Sequence, residues 1–331
     1  MKSHSQQPYL GLDPQRVIQA IETMGLRCDG RVLALNSYEN RVFRVGIEDA
    51  APRVVKFYRP ARWSDAAILE EHAFTIELTE NGVSVVAPDR LHGQTLHHHD
   101  GLRFALFALQ GGHAPELGRA DTLRTLGLSL GRMHALGTRS AFEHRPELSI
   151  ERFGEEPVDT LLDGDWLPPE LEANFEILAE AVLDQVEAAF ERAEPLADIR
   201  LHGDCHPGNI LWRGDQAHFV DLDDCMNGPA IQDLWMLLSG SVDEQSEQLR
   251  WLLEGYEVFA RFDARELGLI EALRSLRLLH FNAWIARRWH DPAFPAAFPW
   301  FAEPRHWEQV IGQLQEQLAL LQEPTLLRVP D

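Results

Sequence analysis

Several features that mark specialised classes of protein are scarce or missing in this chain of 331 residues. Its three cysteines, Cys28, Cys205 and Cys225, are scattered without CxxC spacing, which argues against a disulfide framework and favours a reducing compartment. No stretch approaches the roughly 20 consecutive apolar residues of a membrane span, and residues 1–7 contain no apolar core of a secretory signal. The sequence therefore predicts a cytoplasmic protein without a membrane partner.

Positive charge is also scarce. The chain has 30 basic side chains against 52 acidic ones, and its formal net charge is -22. Such an excess of negative charge disfavours nucleic acid as a partner. Internal repeats are absent, and a monomer is the default expectation. The length, by contrast, exceeds what one hydrophobic core normally organises, so two lobes are expected.

A polar stretch over residues 202–224 carries the most informative spacing. His202, Asp204 and Asn209 follow the order His-x-Asp-x-x-x-x-Asn of the protein-kinase catalytic loop, and Asp221 follows a short hairpin pattern. Phosphoryl transfer needs a carboxylate that orients the acceptor hydroxyl and oxygen ligands that hold Mg²⁺. Each of these residues alone would more simply be a turn, cap or strand-end residue. Together they predict magnesium-assisted phosphoryl transfer.

A lysine in the first third of the chain lies within an apolar strand pattern, where its charge is costly unless it is paired. This residue, Lys56, is followed by a helix that offers Glu70 and Glu71. Glu71 shares a helical face with Phe74 and Leu78, while Glu70 points about 100° away. We therefore expect Glu71 to pair with Lys56.

Two loops are candidates for the nucleotide. The turn at residues 36–40 lacks glycine, but its small polar side chains and backbone N–H groups suit an anion. Gln110, followed by Gly111 and Gly112, ends the predicted sheet and is expected to act as an interlobe hinge that meets an adenine edge. A run of histidines at residues 97–99 is expected to be a solvated turn, because adjacent side chains of a hairpin face alternate ways.

The order of elements predicts an α+β, bilobal, protein-kinase-like fold. A small antiparallel sheet forms the N-lobe. Strands at residues 83–88 and 104–109 are expected to complete this sheet. Residues 144–170 are expected to be an exposed connection. The expected lobes are an ATP-binding N-lobe over 1–109, a hinge over 110–112 and a larger, mainly helical C-lobe over 113–331.

Some C-terminal residues keep two interpretations. Asp233, early in a helix, either favours the helix dipole or braces the catalytic loop. The arginines at positions 274, 277, 287 and 288 either form an anion-attracting stripe or pair with surface acids.

The motif HGDxHxGN at residues 202–209 resembles the aminoglycoside-phosphotransferase/choline-kinase superfamily, whose members share a protein-kinase-like fold. Further motifs are similar to bacterial stress-response protein kinases of that superfamily: KFYRP at 56–60, LEEH at 69–72, LGRMH at 130–134 and VDLDD at 220–224. This resemblance covers nearly the whole chain. One departure is Asp-Leu-Asp at 221–223 where protein kinases have Asp-Phe-Gly, so a phenylalanine-dependent switch is doubtful.

The resemblance implies an ATP- and Mg²⁺-dependent Ser/Thr protein kinase of bacterial stress responses, whose substrate is a protein hydroxyl and possibly its own. It implies Asp204 as the catalytic carboxylate, with Asn209 and Asp221 holding Mg²⁺. Ser37 falls at a position that contacts ATP. The expected nucleotide-binding set is Ser37, Lys56, Glu71 and Gln110.

Two other functions fit the same residues. The catalytic positions dictate only transfer to a hydroxyl, so a kinase for a small alcohol, amino alcohol or aminosugar is the nearest alternative. A pseudokinase scaffold is the second, supported only by the missing loop glycines.

Overall fold

The computed structural model of the chain describes Tyr9, residues 11–323 and Leu327; residues 1–7, discussed above for a signal segment, lie outside this part. The chain forms two compact units. Unit 1 comprises Met1–Glu116, Phe142–Pro146 and His206–Cys225, and unit 2 comprises Leu117–Ala141, Glu147–Cys205 and Met226–Asp331. The α+β class is confirmed. Both units are built from discontinuous segments. The division into contiguous lobes over 1–109 and 113–331 remains a prediction.

The elements follow in chain order. The strands are β1 (Cys28–Ala34), β2 (Arg41–Ile47), β3 (Arg53–Phe57), β4 (His97–His99), β5 (Leu102–Ala108), β6 (Ile199–Leu201), β7 (Ile210–Arg213), β8 (Gln216–Phe219) and β9 (Met226–Gly228). The α-helices are α1 (Pro14–Glu22), α2 (Asp65–Glu80), α3 (Ala120–Gly137), α4 (Glu156–Leu162), α5 (Pro169–Ala193), α6 (Ile231–Leu234), α7 (Val242–Tyr256), α8 (Ile270–Arg288), α9 (Ala293–Ala297) and α10 (Pro304–Gln322). In the part of the chain that the structure describes, no helix has the length and apolarity needed to cross a membrane.

Unit 1 is built on an antiparallel sheet of order β1-β2-β3-β5-β4. Asp13 caps helix α1, because its side chain accepts a hydrogen bond from the backbone N–H of Arg16 at 2.8 Å. Ser64 caps α2 in the same way, accepting from the N–H of Ala67 at 3.1 Å. The Ser64 cap fixes the start of α2, the helix that carries Glu70 and Glu71.

Three local expectations were wrong. The histidines at 97–99 form β4, with His97 buried, because they pair with β5 instead of turning into solvent. Residues 83–88 make only isolated bridges at Val85 and Pro88. The supposed exposed connection at 144–170 contains a π-helical turn at Glu151–Glu155 and α4, whose Leu161 is fully buried. The histidines pair with a neighbouring strand and residues 144–170 pack into a helical core despite their polar or proline-rich composition, whereas the apolar run at 83–88 forms no continuous strand ladder.

Unit 2 is mainly helical. One of its cores joins α5, α8 and α10 around large buried side chains such as Phe175 and Trp307. Helices α3 and α7 meet through glycines: a Cβ atom at Gly131 would collide with the carbonyl oxygen of Tyr256, and one at Gly255 with that of Arg124. This close approach brings His134 of α3 beside Tyr256 of α7.

Candidate active site

The hairpin β7–β8 in unit 1 brings two oxygen donors to one end. Ile210 pairs with Phe219, and the next backbone hydrogen bond runs from the N–H of Val220 to the carbonyl oxygen of Asn209 at 3.0 Å. Asn209 thus lies opposite Val220, one residue before Asp221. Asp221 has φ 59° and ψ 60°, a left-handed conformation that aspartate tolerates better than most side chains. An amide and a carboxylate are hard donors that suit Mg²⁺.

Lys56 connects this hairpin end to the five-stranded sheet of the same unit. Its ammonium Nζ lies 2.9 Å from Asp221 Oδ1, 3.1 Å from Asp223 Oδ1 and 3.9 Å from Glu71 Oε1. The Lys56 side chain is 7% exposed, whereas that of Asp221 is 52% exposed. A buried ammonium therefore faces three carboxylates, of which Asp221 is the one most open to solvent.

Burial and charge compete in this cluster. Burial lowers the pKa of Lys56, but Asp221, Asp223 and Glu71 outweigh it and hold that pKa well above its usual value. Burial raises the pKa of Glu71 to about 7, although Lys56 opposes the rise. Burial also acts to raise the pKa of Asp223, yet Lys56, Arg62 and Arg145 keep it well below the ordinary value. Asp223 is thus the stable anion of the cluster.

Asp223 is 2% exposed and contacts several elements of unit 1. Its Oδ2 accepts hydrogen bonds from Asn40 Nδ2 at 3.0 Å and from the guanidinium of Arg62. Its backbone carbonyl accepts from Arg145, whose Nε donates to the carbonyl of Cys225 at 3.0 Å. These contacts anchor the segment that carries Asp221.

The turn that contains Ser37 is anchored to the same aspartate. The amide of Asn40 is used at both ends, because Nδ2 donates to Asp223 while Oδ1 accepts from the N–H of Arg59 at 3.1 Å. Ser37 Oγ donates to the carbonyl of Asn40 at 3.1 Å. Arg59 Nε donates to the carbonyl of Glu39 at 2.9 Å. Hydrogen bonds thus hold this turn, which lacks glycine.

The two adjacent glutamates of α2 have different partners. Glu71 lies beside Lys56, as stated above. Glu70 instead accepts hydrogen bonds from the backbone N–H groups of Glu143, His144 and Arg145 at 2.6, 2.8 and 2.9 Å. Because the two glutamates point to different sides of α2, Glu71 joins a buried charge pair, whereas Glu70 binds the backbone of residues 143–145. The side chain of Gln110 donates a hydrogen bond from Nε2 to the carbonyl of Gly111 at 3.0 Å.

Asp204 belongs to unit 2, where its loop requires a glycine before it. Gly203 has φ 85°, which a side chain would strain, and this explains why arginine does not stand at that position. The buried carboxylate of Asp233 accepts from the backbone N–H groups of His202 and Gly203, both at 2.8 Å. Gln232 Nε2 donates to the carbonyl of Gly203 at 2.9 Å. Asp233 therefore braces the loop, one of its two sequence interpretations.

His134 completes this brace. Its Nε2 lies 3.1 Å from Asp233 Oδ2 and its Nδ1 lies 2.9 Å from the hydroxyl of Tyr256. The sequence assigned His134 no special role, since an isolated histidine on an amphipathic helix gives no signal of a partner 99 residues away. The glycines at 127 and 131 of α3 were the available hint, because they permit the close approach of α7.

Asp204 itself has a guanidinium partner. Arg277 Nη1 of α8 donates to Asp204 Oδ1 at 2.7 Å, with the two side chains 44% and 25% exposed. Thus the structure groups Lys56, Glu71, Asp221 and Asp223 in unit 1 and Asp204 with Arg277 in unit 2. Their catalytic, nucleotide-binding and metal-binding roles remain predictions.

Comparison with known proteins identifies the class. The chain belongs to the phosphotransferase enzyme family APH, whose match covers residues 31–270. It is accordingly a kinase-type phosphotransferase. Within this class it is similar to "Stress response kinase A" of Escherichia coli strain K12, at 45% identity over 96% of both chains. "Serine/threonine protein kinase RdoA" of Salmonella typhimurium strain LT2 is 43% identical over 96% of both chains.

Solved structures confirm the kinase-like fold. The amicoumacin kinase hAmiN, in complex with AMP-PNP, Ca²⁺ and Ami, superimposes with a TM-score of 0.72 at 18% identity over 96% of both chains. The microcompartment-associated aminopropanol kinase has a TM-score of 0.67 at 18% identity, covering 93% of this chain and 96% of that one.

Proposed function

We propose that this chain is an ATP- and Mg²⁺-dependent Ser/Thr protein kinase of a bacterial stress response, working as a monomer in the cytoplasm. The observation that carries the reaction type is the position of Asp221. It lies beside Asn209 at the end of a hairpin and contacts Lys56 at 2.9 Å. That combination supplies oxygen donors for a metal and a cation for phosphates, which are the parts that phosphoryl transfer requires.

In this proposal the reaction is a direct transfer. The acceptor hydroxyl oxygen bonds to the γ-phosphorus of ATP while the bond from that phosphorus to the bridging oxygen breaks and ADP leaves. Asp204 accepts the hydroxyl proton. The carboxylate mainly orients the hydroxyl, because the transition state is loose and needs little proton removal early.

Asn209 and Asp221 would hold the magnesium ion. Their amide and carboxylate oxygens match its preference for a few protein oxygens together with phosphates and water. When bound, the ion neutralises charge on the transferred phosphoryl group. The bound AMP-PNP and Ca²⁺ of the amicoumacin kinase support a nucleotide with a divalent cation in this fold.

Four residues are assigned to the nucleotide. Lys56 meets its phosphates, and Glu71 orients Lys56. Ser37 lies in the turn that covers the phosphates, and Gln110 lies at the hinge that meets the adenine. The support is strongest for Lys56, because a 7% exposed ammonium between carboxylates is well placed to exchange partners for phosphate oxygens.

The acceptor distinguishes the proposal from its main alternative. Relatives at 45% identity over 96% of the chain carry the name of a stress response kinase, and one is named a Ser/Thr protein kinase. The structural neighbours at 18% identity are kinases of small molecules, amicoumacin and aminopropanol. The much higher identity favours a protein acceptor, while the fold similarity keeps a small alcohol or amino alcohol as the second candidate.

An acceptor screen tests the proposal. The full chain is incubated with γ-labelled ATP and Mg²⁺, either with dephosphorylated proteins of a bacterial lysate or with a panel of alcohols, amino alcohols and aminosugars. We expect label on serine or threonine of proteins. Label confined to small molecules would replace the protein-kinase assignment by the alternative.

A second measurement addresses the pseudokinase. Asp221→Ala is expected to lose phosphoryl transfer and to weaken binding of ATP in the presence of Mg²⁺ more than in its absence, since the carboxylate acts through the metal. Asp215→Ala, in the exposed turn of the same hairpin, is the matched control. A wild-type chain that binds ATP but transfers no phosphate to any acceptor would instead indicate a scaffold.

A further inference from the structure

The contact between Arg277 and Asp204 has no counterpart in the roles assigned above. Arg277 lies 73 positions after Asp204 in the chain and donates a hydrogen bond to the Asp204 carboxylate. Two other arginines of α8 have other partners: Arg274 contacts Glu271 and Gln245, and Arg287 contacts Thr160. Of these three α8 arginines, Arg277 is the one that forms an ion pair with the proposed catalytic carboxylate.

The backbone on both sides of this ion pair is fixed. Arg277 follows Leu276 and lies one helical turn after Leu273, and both leucines are almost fully buried in the packed face of α8. On the other side, Asp233 holds the backbone N–H groups before Asp204. The carboxylate and the guanidinium are therefore presented by two packed elements of the chain.

The chemistry of the pair suits an orienting role. A guanidinium that binds one carboxylate oxygen at 2.7 Å restricts rotation of the carboxylate plane. Because arginine stays protonated, it cannot compete for the proton of the acceptor hydroxyl.

We propose that Arg277 is a positioning residue of the phosphoryl-transfer reaction, which holds the Asp204 carboxylate in the orientation that receives the acceptor hydroxyl. This inference rests on the proposed function, in which Asp204 accepts that proton. Arg277 acts through Asp204. Its removal should therefore slow the transfer step while leaving the binding of ATP nearly unchanged.

The experiment compares Arg277→Ala and Arg277→Lys with the wild-type chain, using γ-labelled ATP and the acceptor that wild type labels most strongly. We expect kcat to fall roughly 10- to 100-fold for the alanine variant, because a misplaced reacting group costs about that much. Lysine retains the charge but holds it on a more flexible stem, so its kcat should lie between the two. The KM for ATP should change less than about twofold. Arg274→Ala, one helical turn earlier, is the matched control and should keep wild-type kinetics.

Three results would overturn the positioning role: a kcat of Arg277→Ala within twofold of wild type, a kcat above wild type, or a loss confined to the KM for ATP. If Arg277→Ala does not fold, Arg277→Lys decides, and a wild-type kcat in that variant would contradict the inference. The variant Asp204→Ala distinguishes a failure of the Arg277 inference from a failure of the proposed function. An inactive Asp204→Ala beside a fully active Arg277→Ala refutes this inference alone, whereas an active Asp204→Ala refutes the proposed function.

Discussion

Two buried aspartates, ten positions apart, hold the two functional segments by different means. Asp223 of unit 1 is surrounded by cationic groups, with Lys56 at 3.1 Å and the guanidinium of Arg62 in contact. Asp233 of unit 2 accepts two backbone N–H groups and lies against an imidazole. The first is balanced by charge and the second by directed hydrogen bonds. We therefore expect the free energy of unfolding to depend mainly on changes of charge around Asp223 in unit 1. In unit 2 it should depend mainly on the loss of the hydrogen-bond acceptor Asp233.

The largest expected effect is that of Asp233→Ala. It leaves the N–H groups of His202 and Gly203 and one nitrogen of His134 without their acceptor in a buried site. The free energy of unfolding should fall by about 3–5 kcal/mol, measured by urea denaturation. Asp233→Asn retains one oxygen and should lose less. Equal stability of Asp233→Ala and wild type would show that water or a rearranged loop replaces these bonds.

Unit 1 can be tested by adding a charge at Asn40. Asn40→Asp places a second carboxylate against Asp223 and should lower the free energy of unfolding by about 2–3 kcal/mol. Asn40→Ala removes both hydrogen bonds of the amide without adding charge, so its cost should be smaller, about 1–2 kcal/mol. Equal free energies of unfolding for Asn40→Asp and Asn40→Ala would show that the added charge has no effect. The view that charge balance around Asp223 stabilises unit 1 would then be wrong.

A third variant tests whether backbone donors can hold a carboxylate elsewhere in unit 2. Glu266 accepts the N–H of Ile231 at 2.8 Å, and burial raises its pKa to about 7 despite that bond. Since the pKa of Glu266 is higher in the folded than in the unfolded chain, the folded chain binds its proton more tightly. This contribution to the free energy of unfolding is fully present below the unfolded pKa and is lost as pH rises through about 7. Wild type should therefore lose stability relative to Glu266→Gln between pH 5 and pH 8, on the order of 2 kcal/mol at about 1.4 kcal/mol per pKa unit. Parallel pH curves for the two proteins would contradict this.

The smallest expected effect separates the two adjacent glutamates of α2. Glu70→Ala removes the acceptor of three backbone N–H groups near the surface and should cost about 1 kcal/mol of unfolding free energy. It should not alter the affinity for ATP. Glu71→Gln should weaken ATP binding, because it changes the charge around Lys56. Reversed results would assign the Lys56 partner to Glu70.

Local patterns in the sequence were sufficient for much of the fold. Caps such as Asp13 and Ser64, the strands around Lys56 and the hairpin before Asp221 depend on neighbours a few residues away. The helical spacing also distinguished Glu71 from Glu70. The wrong expectations at 83–88 and 144–170 depended on packing against distant segments, whereas the one at 97–99 missed a pairing with the neighbouring strand β5.

The site residues divide in the same way. The spacing of Asp204, Asn209 and Asp221 is local and could be read directly. The brace of His134 with Asp233 and the contact of Arg277 with Asp204 join residues 99 and 73 positions apart. No periodicity in a single sequence reports such pairs.

The most direct test of the central claim is the rate of phosphoryl transfer by Asp204→Ala, with folding checked by circular dichroism and ATP affinity measured in parallel. The account predicts a rate lowered about 10²- to 10⁴-fold with ATP still bound. A folded Asp204→Ala that transfers phosphate at the wild-type rate would contradict it.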